Sequence, residues 1–93
     1  MLKWLENWYS EQCDGDWEHC YGVKIDTLDN PGWRLHIDIA ETSLAEKEFA
    51  EYNHDNGDDD WIVCCVKNDA YDACGDPSKL EDLIRVFKEW TEE

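Results

Sequence analysis

Ninety-three residues, 42% of them apolar and six of them Trp, are enough for one small domain with a core and exclude a disordered acidic tail. Twenty-four acids against eight bases give a net charge of −16, spread from Glu6 to Glu93. A chain so charged repels phosphate and anionic lipid, which argues against nucleic acid or a membrane as direct partner and for a basic protein surface, unless the acidity serves only solubility.

The chain opens on Met1-Leu2-Lys3-Trp4-Leu5-Glu6, where charge interrupts the apolar residues at once, so no secretion signal is expected. Met1, Trp4, Leu5, Trp8 and Gln12 recur at three- and four-residue spacing, which predicts a helix with Lys3, Glu6, Asn7 and Glu11 on its wet face. Cys13-Asp14-Gly15-Asp16 ends it, with Gly15 suited to a left-handed position past the terminus.

A hairpin follows. Tyr21, Val23, Ile25 and Thr27 alternate with polar residues, as do Trp33, Leu35, Ile37 and Ile39 against Arg34, His36 and Asp38. Between them Pro31-Gly32 fits the two central positions of a type II turn. Lys47 to His54 reads either as a third strand carrying Phe49 and Tyr52 or as a short helical turn, before the acidic loop Asp55-Asn56-Gly57-Asp58-Asp59-Asp60. Trp61-Ile62-Val63-Cys64-Cys65-Val66 is nearly continuous apolar sequence, the pattern of a central strand covered on both faces. Asn68-Asp69 turns the chain into a last strand from Ala70 to Cys74. Ser78-x-x-Glu81 then reads as a capping box, opening a helix whose stripe is Leu80, Leu83, Ile84, Phe87 and Trp90. The predicted fold is α+β over residues 1–93: a helix, four or five antiparallel strands, and a second helix, both helices on one sheet face.

The chemistry is sparse. Five cysteines cannot all pair within one chain, and reduced thiols in a cytoplasmic protein fit best. No C-x₂₋₄-C or H-x₃₋₅-H pair is present for zinc, and adjacent Cys64 and Cys65 on a strand point to opposite faces. With Gly57 at position six of a calcium loop, Tyr52 falls at position one and Val63 at twelve, so that motif fails. Glu18 with His19, or Cys13 with His19, offers acid–base or thiol chemistry only as sequence neighbours, with no phosphate loop or nucleophile elbow. Neither a metal, a cofactor nor catalysis is therefore expected. The candidate binding residues are two acidic groups, Asp14, Asp16 and Glu18, and Asp55, Asp58, Asp59 and Asp60, with Trp17 weighed as a partner anchor against packing under the hairpin. The sequence leaves the oligomeric state open, with a monomer favoured. Crowding of like charge further predicts acids with raised pKa, and hence stabilisation by mild acid.

Trp8-Tyr9, Gln12-Cys13-Asp14-Gly15-Asp16-Trp17-Glu18-His19, Tyr21-Gly22 and Thr27-Leu28-Asp29-Asn30-Pro31-Gly32-Trp33 carry a resemblance to the immunity protein 53 family of bacterial polymorphic-toxin systems. It extends to Asp60-Trp61 and to the helix from Leu80-Glu81 to Glu89-Trp90, and is loosest over residues 51–59. The resemblance implies an immunity protein that binds and neutralises a cognate toxin, for which a basic enzyme such as a nuclease suits the charge. It implies no catalytic residues. The competing class is an acidic cytoplasmic adaptor or structural domain with no toxin partner.

Overall fold

The structure is a computed structural model that describes residues 1–93. Helix α1 (Leu2–Gln12) leads through a single helical turn, α2 (Trp17–Cys20), into strands β1 (Val23–Leu28) and β2 (Gly32–Asp38). A long connection reaches β3 (Tyr52–Asp55), then β4 (Trp61–Lys67), β5 (Ala70–Gly75) and the closing helix α3 (Leu80–Thr91). The five strands form one antiparallel sheet in the order β1-β2-β5-β4-β3. The α+β architecture read from the sequence is the one observed.

Alternation sets the two faces of the sheet. Leu35, Ala73 and Cys64 align across β2, β5 and β4, and so do Ile37, Tyr71 and Val66, all toward the helices. Against them α3 lays Leu83, Ile84, Phe87 and Trp90, each at most 3% exposed. Removing four such side chains from water contributes on the order of 6–12 kcal/mol, an upper bound because the unfolded chain is itself partly collapsed. Helix α1 packs on α3 through Trp4 and Trp8, whose rings meet Phe87 edge-on at 5.9 and 5.0 Å. Tyr71 ties the layers together, donating its hydroxyl to the Leu83 carbonyl at 2.7 Å.

Several local expectations are corrected. The turn after β1 is a three-residue loop with Leu28 opposite Gly32, so Gly32 is the first residue of β2 and not a left-handed turn position. It is glycine because a Cβ there would run into the Gly75 carbonyl. Ser78 does not cap α3: its amide and hydroxyl both donate to Asp76, at 2.8 and 2.6 Å, and the helix starts after Lys79. Strand β5 holds the centre of the sheet; β4 lies between β5 and β3, and its second face is bare, leaving Val63 38% exposed. Its apolar residues occupy both parities, but only one face has helices.

The third strand is shorter than expected, beginning at Tyr52. Phe49 precedes it in the connection and still reaches the core, meeting Trp90 at 5.2 Å and Tyr71 at 5.7 Å. Lys47 donates to the Trp90 carbonyl at 2.6 Å and the Trp90 indole donates to the Glu48 carbonyl at 2.8 Å, strapping this connection to the end of α3. The Asn68-Asp69 turn is as expected, with both residues at positive φ (53° and 59°), the geometry that matches strand twist in a two-residue hairpin.

Candidate functional site

The helix-free face of the sheet is built from the other parity. His36, Asp72 and Cys65 align across β2, β5 and β4, with Lys24 beyond His36 on β1; Asp26, Arg34, Cys74 and Val63 form the next row. Arg34 clamps Asp72 through two bonds of 3.0 Å. This pair holds the Asp72 carboxyl below its usual range, by the guanidinium hydrogen bonds first and its charge second. His36 lies 3.2 Å from Asp38, whose other oxygen accepts the Gly22 amide at 2.9 Å, while its buried Nδ1 has no partner. Cys65 and Cys74 are half-buried here, and Cys64 faces the core, where burial pushes its thiol up to about 11. All five cysteines are free thiols.

One corner of this face meets the β3–β4 loop. There Asn53, Asp55, Asp58, Trp61 and Val63 line a concavity of about 320 Å³. Gly57 turns the loop at φ 103°, and Asp55 accepts its amide at 3.2 Å. Asp60 is drawn out of the acidic run: Lys79 holds it at 2.8 Å and also holds Asp76 at 2.9 Å. Asp76, only 1% exposed, accepts the Trp61 amide at 2.9 Å as well. The Ser78 hydroxyl, then Lys79, keep its carboxyl far below the carboxylate range, and Lys79 is correspondingly raised. Asp58 and Asp59 are left exposed, with neither an ion pair nor a side-chain hydrogen bond.

The N-terminal acidic group has a different character. Asp14 accepts the Asp16 and Trp17 amides, each at 2.9 Å, and Glu18 reaches back to the Asp14 and Gly15 amides at 3.0 and 2.9 Å. Both carboxyls are lowered, Asp14 chiefly by the Trp17 amide and Glu18 by its own, each hydrogen bond favouring the charged form. They hold the turn that leads into α2, a helical element that the sequence pattern did not predict. Only Asp16 remains a free charge. Trp17 is 5% exposed, donates its indole N–H to the Ala40 carbonyl at 2.9 Å and meets the Trp8 ring at 6.1 Å. It belongs to the core, so the weighing between anchor and packing falls to packing.

The register places the two acidic groups apart. Asp14 to Glu18 precede the start of β1, level with Asp38 and Ala70, whereas the 55–60 loop lies at the opposite end of the strands and beyond the opposite edge. A six-residue strand spans about 20 Å and five strands about as much, so the groups stand on the order of 25 Å apart. That exceeds the screening length several times, and they are two patches, not one. The five carboxyls the structure perturbs, Asp14, Glu18, Asp60, Asp72 and Asp76, all move down. None of these five shows the raised pKa expected from self-repulsion, because each has a donor or a cation beside it.

The deciding comparison is with the family model for immunity protein 53, which matches residues 2–92. The chain belongs to the immunity protein 53 family. No curated protein and no solved structure matches it. Membership covers nearly the whole chain, so the sheet, its bare face and both acidic patches lie inside the immunity protein 53 match. No helix is long and apolar enough to cross a membrane.

The solvated face was legible in the sequence, but the role of Asp76 was not, though its signal was present. Arg34, His36 and Asp38 at every second position mark one solvated face of β2. Asp76-Pro77-Ser78 carries the Asx-turn chemistry that replaces the capping box.

Proposed function

We propose that this chain is a cytoplasmic immunity protein that binds and occludes a cognate toxin with a basic contact surface, a nuclease being one candidate, and performs no catalysis itself. The carrying observation is the corner at the β3–β4 loop. Asp58 and Asp59 stand exposed without an ion pair, and Asp58 lines a concavity together with His54, Asp55, Trp61 and Val63. Carboxylates beside an aromatic ring suit a Lys or Arg side chain, by charge at a distance and by cation–π contact once docked. Asp16 is a second free charge at the far corner. Asp14, Trp17, Glu18 and Asp60 serve the architecture, Asp55 both holds the loop turn and lines the concavity, and the reading leaves the free contact charges to Asp58 and Asp59.

Long-range attraction acts on the approach of the partner more than on its departure. With the cognate toxin in stopped flow, Asp58→Asn/Asp59→Asn should slow association about threefold to tenfold at low salt, with dissociation little changed. At about 0.3 M salt the difference should fall below about twofold, as the Debye length drops under ~8 Å. Asp60→Asn should instead loosen the Lys79 contact and lower stability. Unchanged association in the double variant would remove the steering role of this corner.

A further inference from the structure

The sheet has two free edges, and they differ. Strand β3 is four residues long, ends on the acidic Asp55 and is preceded by Glu51. Strand β1 is six residues long, pairs with β2 in unbroken register and contains no proline. The Asp38 amide donates to the Gly22 carbonyl at 3.1 Å, so Gly22 and the even-numbered residues of β1 bond to β2. The N–H and C=O groups of Val23, Ile25 and Thr27 therefore point away from the sheet. Beside them a groove of about 230 Å³ runs between β1 and α1, where Leu2 is 58%, Ile25 39% and Tyr9 38% exposed. The sequence alternation placed Ile25 on a covered face; the helices stop short of this edge. Natural edges are usually blunted by bulges, proline or charge; β1 has neither bulge nor proline, and its two charges, Lys24 and Asp26, are opposite in sign, so the edge can serve as a template for another strand.

We infer that the β1 edge pairs antiparallel with the β1 edge of a second copy, across a two-fold axis through Ile25. This departs from the monomer favoured by the sequence and does not depend on the toxin reading. The axis sets Ile25 opposite Ile25 and Val23 opposite Thr27, so each outward-pointing residue exchanges a pair of backbone hydrogen bonds. Lys24 then falls opposite Asp26 of the second copy, and Asp26 opposite its Lys24. These are non-hydrogen-bonded positions, where opposed side chains come closest, about 4.5–5.5 Å. Moving the axis to Lys24 or Asp26 would keep the backbone hydrogen bonds of the odd residues but set like charges face to face. The charge pattern thus selects one register.

Lys24 supports this independently. The other cations are committed, Lys3, Arg34, Lys79, Arg85 and Lys88 to carboxylates and Lys47 to the end of α3, leaving only Lys24 and Lys67 without a partner. Two copies of charge −16 repel, yet the border itself is nearly neutral, because Glu6 lies 3.7 Å from Lys3 and Asp26 meets Lys24. The remaining repulsion is long-range and is largely screened at physiological salt. The apolar flanks of α1, Leu2 and Tyr9, face their counterparts across the same axis.

Sedimentation velocity from about 1 μM to 1 mM at 0.15 M salt tests the pairing, a concentration range suited to a modest interface. The wild-type chain should pass from monomer to dimer with concentration. Lys24→Asp and Asp26→Lys should each weaken the dimer at least tenfold by opposing like charges, and the double exchange Lys24→Asp/Asp26→Lys should restore it to within about threefold. Thermal melts confirm that each variant is folded, as expected for side chains on a solvated face. Amide exchange at Val23, Ile25 and Thr27 should slow as concentration rises. A monomer throughout, single variants that dimerise like wild type, or a folded double variant that stays monomeric would overturn the proposal. So would protection of these amides only on adding toxin, which would assign the edge to the toxin.

Discussion

Replacing Trp17 separates a core residue from a partner anchor. The indole is 5% exposed, in edge contact with Trp8 at 6.1 Å and Tyr9 at 6.0 Å, and bonded to the Ala40 carbonyl. Trp17→Ala removes all of this and leaves a cavity beneath α1, a change that costs about 3–5 kcal/mol in well-packed cores. The Ala40 carbonyl is only half-buried, so water replaces the lost indole and adds little to that figure. A chain of this length has a total stability of roughly 5–14 kcal/mol, and each kcal/mol moves its melting temperature by about 4–8 °C. Trp17→Ala should therefore melt about 15–30 °C lower. Trp17→Phe, which keeps an aromatic ring and loses the N–H donor, should lose only about 1–2 kcal/mol. Urea and thermal unfolding followed by circular dichroism supply both values. Toxin dissociation from the Phe variant should match wild type, because the ring touches no partner. A Trp17→Ala protein within 1 kcal/mol of wild type, or a Phe variant that releases toxin tenfold faster, would refute the core assignment.

Acid should destabilise the protein with a definite sign. Asp14, Glu18, Asp60, Asp72 and Asp76 have folded pKa values below their unfolded ones, so the native state binds fewer protons than the unfolded chain. Their stabilisation is complete above the unfolded carboxylate range, near pH 5, and is lost as pH falls through the folded values; the melting temperature should drop steadily below about pH 4.5, and a rise there would contradict the assignment. The thiols should react in order of access: exposed Cys20 first, and buried Cys64, raised to about 11, last, with all five titrating after denaturation and no wild-type disulfide found.

Element type was legible wherever one period ran without interruption. The α3 stripe from Leu80 to Trp90 and the alternation of β2 gave their elements and their buried faces, because helix and strand periods leave little choice over seven or more residues. What failed was information the local sequence does not contain. Trp61 to Val66 is apolar at both parities, and only the packing of α3 tells which face is covered. Ile25 alternates like Ile37, but β1 is the outer strand and its covered face runs out of helix. Ser78 has the spacing of a capping box, yet Asp76 is closer to its hydroxyl and takes it. The candidate site suffered in the same way: seven acids looked alike in the chain, and the fold sorts them by whether a backbone amide or a lysine lies within reach.

That sorting changes what a charge of −16 means for this protein. Asp14, Glu18, Asp38 and Asp76 are spent on backbone amides, replacing the hydrogen bonds that short turns and helix starts leave open. Asp60, Asp72, Asp82, Glu89 and Glu92 are matched by cations. Substituting either set perturbs the fold before it perturbs any partner, so a loss of toxin binding there would say nothing about contact. Of the seven candidate acids, Asp58 and Asp59 at one corner and Asp16 at the other remain exposed and unmatched, and their removal leaves the fold alone. A charge scan of this family member is therefore informative at such positions, and the β3–β4 corner, where two of them stand close to Trp61, is where it should begin.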